Sequence, residues 1–399
     1  VKEYDYIIAG AGCAGLSLAV RLCQHPVLRQ RSVLIIDKDE KKANDRTWCF
    51  WSKEATAFDS IVYRRWNQIS FHGSDEECIY RSNTYSYQLI RGSDFYAHAK
   101  KVIRQNPNIQ WEKRHISILN QDDEGPYLIA DGEKFRAKYI FNSCFIPSDL
   151  NANPIQSPFL WQHFTGWVIE TQKAVFNPHQ VRLMDFRTPQ QGDARFFYLL
   201  PFSEKRALVE YTLFSKKLLE PEVYEAALKS YIRDQLEIED FSIKEREFGA
   251  IPMTNAPLSS SAGDRIIDVG TLGGAVKPTT GYAFLRIQEQ IRDIIQRLEQ
   301  GVHPQYVIKR KPRYAFYDSL LLNILSRRGE WARPIFTRLF IHNHIDRIFA
   351  FLDERASLWQ EARIFAFLPM RPFLKAIWET QRLKKALPDQ AAAIAKKIP

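Results

Sequence analysis

YDYIIAGAGCAGLSLAVRLCQH, residues 4–25, sets an apolar run, a glycine-rich turn and a helical run in direct succession. YDYIIA (4–9) is an apolar run of strand length, GAGCAG (10–15) follows it directly, and LSLAVRLCQH continues as a helix. In that order each glycine has its own task. Gly10 permits the tight turn, Gly12 lets the backbone approach a pyrophosphate, and Gly15 allows close packing of helix on strand. The helix N-terminus then offers N–H groups and a favourable field to phosphate. SVLIID (32–37) is a second strand ending on Asp37, placed where a ribose hydroxyl partner belongs. An ordinary tight strand–helix turn is the competing reading; strand, glycines, helix, strand and acid in succession favour a nucleotide site.

This motif alone does not separate NAD from FAD. A second glycine-rich segment, RIIDVGTLGGAVKPTTGYAF (265–284), adds information. IIDVG is a short apolar strand, and Gly270, Gly273, Gly274 and Gly281 punctuate the loop after it. FLRIQEQIRDIIQRLEQG then carries apolar residues at 284, 287, 291, 294, 295 and 298, which is helical spacing. A late strand–glycine loop–helix brings another helix N-terminus to the cofactor, a sensible neighbour for the negative charge of a reduced flavin. Asp268, just ahead of the loop, either helps to hold the cofactor or is structural.

ALVEYTLFS (207–215) raises a different question. By alternation, Leu208, Glu210, Thr212 and Phe214 share one face, and Val209, Tyr211 and Leu213 share the other. FFYLLPF (196–202) and the polar SEKR (203–206) make the pair an antiparallel hairpin, with Glu210 among apolar neighbours. Either this is an edge strand with Glu210 in water, or the carboxyl is buried and kept protonated for chemistry.

A chain of 399 residues has room for two domains, and its composition, 45% hydrophobic and 26% charged, is that of a folded globular protein. Five cysteines with no CxxC spacing fit a reducing, intracellular location better than a disulfide framework. No signal peptide is expected from VKEYDYII, and no run is long enough to span a bilayer. Residues 301–399 carry 18 Lys or Arg against 8 Asp or Glu, so the whole net charge of +10 lies in the last quarter. There the basic residues are interleaved with large apolar ones, as in WARPIFTRLFIHNHIDRIFAFL (331–352) and ARIFAFLPMRPFLKAIW (362–378). That pattern suits a membrane surface better than nucleic acid, although core packing explains part of it. HNH (342–344) is a metal pair or, with no third ligand suggested, a surface or packing segment; RKPR (310–313) reads as a solvated turn in preference to a phosphate contact; and DQAAAIAKKIP (389–399) is expected to fray. No metal site is expected.

GAGCAGLSLA (10–19), NDRTWCFW (44–51), YSYQLIRGSDFY (85–96), the Glu210 strand and KPTTGYAF (277–284) together carry a family resemblance. Over nearly its whole length the chain resembles the flavin-dependent lycopene cyclases of the bacterial β-cyclase type. Pro-Thr-Thr-Gly-Tyr is the most specific element of the likeness. The resemblance implies an α/β fold of the two-domain FAD-binding, Rossmann-like, hydroxylase type, with an antiparallel substrate sheet and a helical C-terminal region. It implies FAD-domain segments at 1–60, 90–150 and 250–300, substrate-domain segments at 61–89 and 151–249, and a basic helical region at 301–399. Two places depart from the wider flavoprotein class: Gly270-Thr271 replaces the usual Gly-Asp, and FNSC (141–144) replaces Asp-Ala/Gly-x-Gly.

The resemblance implies Glu210 as the catalytic acid, with Tyr211 standing where a second acid often does. The implied cofactor residues are Gly10, Gly12, Gly15, Asp37, Arg46, Gly270, Gly273, Gly274, Pro278, Thr279, Thr280 and Gly281. Arg46, Trp48 and Trp51 either wall the flavin or the substrate channel or, for the two tryptophans, are simply core, as buried aromatics usually are. The implied activity is cyclisation of the linear ψ-ends of lycopene to β-ionone rings, giving γ-carotene and β-carotene. Protonation of an alkene would start it, with no net redox change and with dependence on reduced FAD, for which NAD(P)H serves as reductant. An alkene is a very weak base, so the donor must sit close to the carbon in a site without water. A carboxyl in an apolar pocket is protonated at neutral pH, which gives a buried Glu210 a purpose. The expected location is cytoplasmic, peripheral on the inner face of the cell membrane. A monooxygenase or prenyl reductase of the same class and a non-catalytic flavin- or lipid-binding module are the alternatives.

Overall fold

The computed structural model describes residues 2–144, 158–256, 258, 263–305 and 310–381; the C-terminal stretch expected to fray lies outside them. The chain opens with β1 (Lys2–Ala9), α1 (Cys13–Gln24) and β2 (Val33–Asp37). There follow β3 (Thr47–Ser52), β4 (Arg64–Trp66), β5 (Gln68–His72), β6 (Glu77–Arg81) and β7 (Ser86–Arg91). Helix α2 (Gly92–Ile103) leads to β8 (Ile109–Lys113), β9 (Ile116–Asp122), β10 (Gly125–Ala130) and β11 (Glu133–Asn142). After these come β12 (Phe159–Glu170), β13 (Gln180–Asp185), β14 (Ala194–Pro201), β15 (Arg206–Ser215), α3 (Pro221–Asp234) and β16 (Ser242–Thr254). The last strand is β17 (Ile266–Asp268), followed by α4 (Phe284–Glu299), α5 (Pro312–Arg327), α6 (Ala332–Ile341), α7 (Ile345–Leu352) and α8 (Leu358–Phe365). Residues 370–381 are also helical.

The first sheet runs β8-β2-β1-β11-β10-β9, with β17 added beside the end of β11. Strands β8, β2, β1, β11 and β17 are parallel, and β10 and β9 are antiparallel. Because β2 lies on one side of β1 and β11 on the other, the strand order reverses at β1, and ligands of open α/β sheets bind at such a point. Helix α1 is apolar nearly all round because α2, α4 and the sheet enclose it. On α4, the six apolar positions expected from the spacing, Phe284, Ile287, Ile291, Ile294, Ile295 and Leu298, are all buried.

The second sheet runs β16-β12-β15-β14-β13-β5-β6. It is antiparallel throughout except where β13 meets β5. A third, small sheet is β3-β7-β4, and its strand β3 places Phe50 in one core and Trp51 in another. The expected hairpin is β14 and β15, but β15 is an inner strand with β12 on its other side, so the edge-strand reading of Glu210 does not hold. One face of β15, with Val209, Tyr211 and Leu213, packs on Tyr224, Leu228, Tyr231 and Ile232 of α3. The opposite face, with Leu208 and Phe214, joins a core that includes Leu322, Phe336, Phe340 and Phe349 of the C-terminal helices. The alternation read from the sequence is thus matched by two different cores, and Glu210 is on the side of the C-terminal helices.

Candidate active site

The nucleotide motif stands at the carboxyl end of β1. Gly10 has φ +94°, a left-handed conformation that side chains other than glycine rarely adopt. A Cβ on Gly15 would lie 2.1 Å from the Gly10 carbonyl oxygen, so the close helix–strand contact needs hydrogen at that position. Asp37 Oδ2 accepts the Ala11 N–H at 2.6 Å, and its Oδ1 accepts the Asp39 N–H at 2.7 Å. The acid at the end of β2 is therefore tied to the glycine turn itself.

The second glycine loop lies against the first. A Cβ on Gly270 would meet the Ala14 Cβ at 2.9 Å. Gln290 of α4 clamps the loop: its Oε1 accepts the Gly270 N–H at 2.8 Å, and its Nε2 donates to the Gly273 carbonyl at 3.1 Å. Two features leave this cradle chemically open to a dinucleotide. Helix α1 starts at Gly12 without a side-chain cap, and Thr280 Oγ1 is buried without a hydrogen-bond partner among the described residues. The residues present therefore fit FAD.

A cavity of about 780 Å³ joins this cradle to the second sheet. Gly10, Gly12, Asp37, Arg46, Gly270, Thr280 and Gly281 line it towards the nucleotide motif, and Glu210, Tyr198 and Tyr282 line it on the other side. Trp48 forms part of its wall, packed edge-on against Phe95 at 4.9 Å. At Gly281 a Cβ would come within 2.1 Å of Gln162 Oε1, so the Pro-Thr-Thr-Gly-Tyr turn reaches the second sheet at a point where only glycine fits.

Glu210 sits in a row of four residues in cross-strand register: Glu247 on β16, Gly166 on β12, Glu210 on β15 and Tyr198 on β14. Glu210 Oε1 accepts the Thr212 hydroxyl at 2.8 Å, and Glu210 makes no ion pair among the described residues. Burial, and then the nearby Glu247 carboxyl, push the Glu210 carboxyl well above the ordinary carboxylate range. Glu247 is raised too, chiefly by burial, while the Thr47 hydroxyl and Glu210 draw it back down. Glu210 is raised by Glu247 while Glu247 is drawn down by Glu210, so the proton is favoured on Glu210, the member of the pair that lines the cavity. Such a pair can deliver one proton.

Other expected site residues fall elsewhere. Gly15 is buried beneath the turn, Gly273 and Gly274 belong to the loop clamped by Gln290, and Pro278 is buried outside the cavity lining. Thr279 donates its hydroxyl to Asp318 of α5 at 2.7 Å, away from the cavity. Trp51 stacks on Phe349 at 4.7 Å and donates to Asp353 at 2.7 Å, which places it in the core. Asp268 accepts from Asn142 at 2.9 Å, linking the ends of β11 and β17. RKPR is not a solvated turn: Arg310 enters a buried ion cluster with Asp318, Glu354 and Lys277, and Arg313 pairs with the buried Glu361 at 2.9 Å. In HNH, His342 stacks on Phe367, Asn343 bonds to the Leu339 carbonyl and His344 caps α7; no metal-binding group occurs among the described residues.

The sequence reading missed Glu247 and Thr47. SIKEREFGA alternates charges on both faces, so its acids resemble a solvated strand. The partners distinguish them: Glu245 is held by Arg206 and Asn44, each at 2.6 Å, whereas Glu247 has the Thr47 hydroxyl at 2.6 Å and no cation pair among the described residues. The nearby Gly249 was the available signal, since a glycine inside such a strand marks close approach. Tyr211, at the place of a second acid, stacks on Phe197 at 4.7 Å on the opposite face. The second carboxyl comes from β16 instead.

A glycine-cradled Rossmann-like half joined by a cavity to an antiparallel sheet defines the class: the two-domain, FAD-binding hydroxylase-type fold. Solved structures agree. A geranylgeranyl bacteriochlorophyll reductase-like protein from Thermoplasma acidophilum superposes with a TM-score of 0.57 at 13% identity, covering 97% of this chain and 99% of that one. A flavin-dependent halogenase from Xanthomonas campestris gives 0.56 at 11% identity, covering 98% and 96%. The family model described as Lycopene cyclase protein matches residues 5–377, and the chain belongs to that family. It is 28% identical to the lycopene beta-cyclase of Paracoccus sp. (strain N81106 / MBIC 01143), over 94% of this chain and 96% of that protein. It is 24% identical to the lycopene beta-cyclase of Pantoea ananas, over 94% and 97%.

Proposed function

We propose that this chain is a lycopene β-cyclase, closing the linear ψ-ends of lycopene into β-ionone rings without net redox change and yielding γ-carotene and β-carotene. The observation that carries this reading is the position of Glu210, a carboxyl favoured in its protonated form and facing the cavity that begins at the glycine cradle. Glu210 donates its proton to the terminal alkene. The resulting tertiary cation is attacked by the neighbouring double bond, and loss of a ring proton completes the β-ring. Tyr198 and Tyr282 offer π faces to the cation, each worth about 0.5–2 kcal/mol in a desolvated site. On the second-sheet side Phe164, Leu200 and Leu208 line the cavity, apolar side chains that disfavour water, which would trap the cation.

Gly10, Gly12, Gly15, Asp37, Arg46, Gly270, Gly273, Gly274, Thr280 and Gly281 are assigned to holding FAD or shaping its cradle, with Pro278 and Thr279 bracing the turn. When bound and reduced, with NAD(P)H as reductant, FAD supplies negative charge to a low-dielectric site. The apolar substrate is taken from a bilayer at the inner face of the cell membrane. No helix among the described residues is long and apolar enough to cross a membrane. The C-terminal helices instead expose Leu358, Trp359, Phe367, Met370, Leu374 and Trp378 beside Arg371 and Lys375, which supports interfacial binding.

The test is carotenoid analysis in lycopene-accumulating cells expressing the wild type or Glu210→Gln. New cyclic carotenoids of unchanged mass, absent with the variant, are expected. Products that gain oxygen or hydrogen would overturn the reading in favour of a redox enzyme, and unchanged lycopene beside folded, flavin-loaded protein would also overturn it.

A further inference from the structure

Glu247 is not needed to describe proton donation by Glu210, yet its surroundings are built with care. It faces Glu210 across Gly166, the one position in the row without a side chain. Its Oε2 is held by the Thr47 hydroxyl at 2.6 Å. Its Oε1 leans over the central strand: a Cβ on Gly166 would lie 3.0 Å from it. That oxygen is buried and finds no ordinary donor among the described residues. An acceptor buried without a donor costs about 1–3 kcal/mol. Among the described residues the Glu210 carboxyl, in register on the other side of Gly166 and in hydrogen-bond contact with Glu247, can supply a donor, and only in its protonated form.

We propose that Glu247 is a positioning residue for the Glu210 acid: its carboxylate, fixed by Thr47, accepts a hydrogen bond from protonated Glu210 across Gly166 and so retains the transferable proton on Glu210 beside the cavity. This rests on the cyclase reading given above. Before reaction the pair holds one proton and one negative charge. In the protonation step the Glu210 O–H bond breaks, the alkene π electrons form the new C–H bond, and the O–H electron pair stays on Glu210. Two carboxylates then stand beside the cation, and the proton later lost from the ring restores the pair, so one cyclisation consumes no proton overall. Other charged or titratable groups act on the pair from the neighbouring elements: Arg46 and Cys49 from the β3 side, Glu245 from β16, Tyr198 from β14 and Tyr282 from the glycine turn. Burial raises Cys49, Tyr198 and Tyr282 above their ordinary values, so they remain neutral through the range tested below.

The experiment compares flavin-loaded wild type, Glu247→Gln, Glu247→Asp and Glu210→Gln. Cyclisation of lycopene in phosphatidylcholine–phosphatidylglycerol vesicles is followed from pH 5 to 9. In parallel, the infrared carbonyl band of a protonated carboxyl is titrated without lycopene. The expected result is a wild-type band that persists above neutral pH and is missing in Glu210→Gln. In Glu247→Gln both the band and the alkaline limit of activity move down by at least about one pH unit, a tenfold change in proton affinity. Glu247→Asp, which keeps the charge, recovers at least half of that shift and also serves if Glu247→Gln does not fold. A Glu247→Gln profile and band coincident with wild type, with Glu210→Gln inactive, would overturn this inference alone. Full activity in Glu210→Gln would overturn the cyclase assignment of Glu210 and the inference with it.

Discussion

Glu247 Oε1 lies over the backbone of Gly166, close enough that a Cβ there would sit 3.0 Å from it and equally close to Leu208 Cδ1. Gly166→Ala therefore presses on the second carboxyl rather than on the acid itself. The cost in stability is expected to be modest, about 1–3 kcal/mol for one methyl group in a packed site. Turnover should fall at least tenfold while flavin content is retained, measured by product formation per bound flavin.

At Gly15 the obstacle is backbone. A methyl group there would lie 2.1 Å from the Gly10 carbonyl oxygen, and no rotamer change can relieve it. Gly15→Ala is expected to open the β1–α1 turn and abolish flavin retention, read from the absorbance of the purified protein. A variant that keeps its flavin would show that the cradle does not hold the cofactor.

The buried cluster around the Pro-Thr-Thr-Gly-Tyr turn gives an acid-side prediction. Lys277 lies 3.1 Å from Asp318 and 3.2 Å from Glu354, and Arg286 and Arg310 approach Glu354 at 2.7 and 2.6 Å. Burial works to raise Glu354, but the three cations outweigh it and hold its carboxyl at about 2. Its folded value is thus below its ordinary value of 4.5. The stability it contributes is present above pH 4.5 and is lost as pH falls towards 2. Glu354→Gln leaves buried cations undercompensated and should cost about 3–5 kcal/mol at neutral pH. Urea unfolding at pH 7 and pH 3 checks this, because the gap between wild type and variant should narrow in acid.

Trp359 and Trp378 are large rings with 78% and 58% exposure. Replacing both with Ala is expected to weaken binding to anionic vesicles at least tenfold in a flotation assay, with flavin content unchanged. Unaltered binding would remove this face as the membrane contact.

Much of the fold was legible locally. The β1–glycine–α1–β2 unit, the late glycine loop, the buried stripe of α4 and the β14–β15 hairpin all follow from periodicity and turn chemistry within about 20 residues. Burial of Glu210 was legible only as one of two options, because alternation shows which residues share a face and not whether the strand is an edge.

The nucleotide turn and the two-faced pattern of β15 are local properties of the chain, since both depend on neighbours a few residues apart. The assembled fold alone puts β12 between β15 and β16, so that Glu210 and Glu247 face each other over Gly166. It likewise decided that Lys277 and Thr279 turn to Asp318, and not to the cavity. Those pairings are set by strand order and helix docking, which sum many weak apolar contacts over the whole chain. No single segment encodes the result.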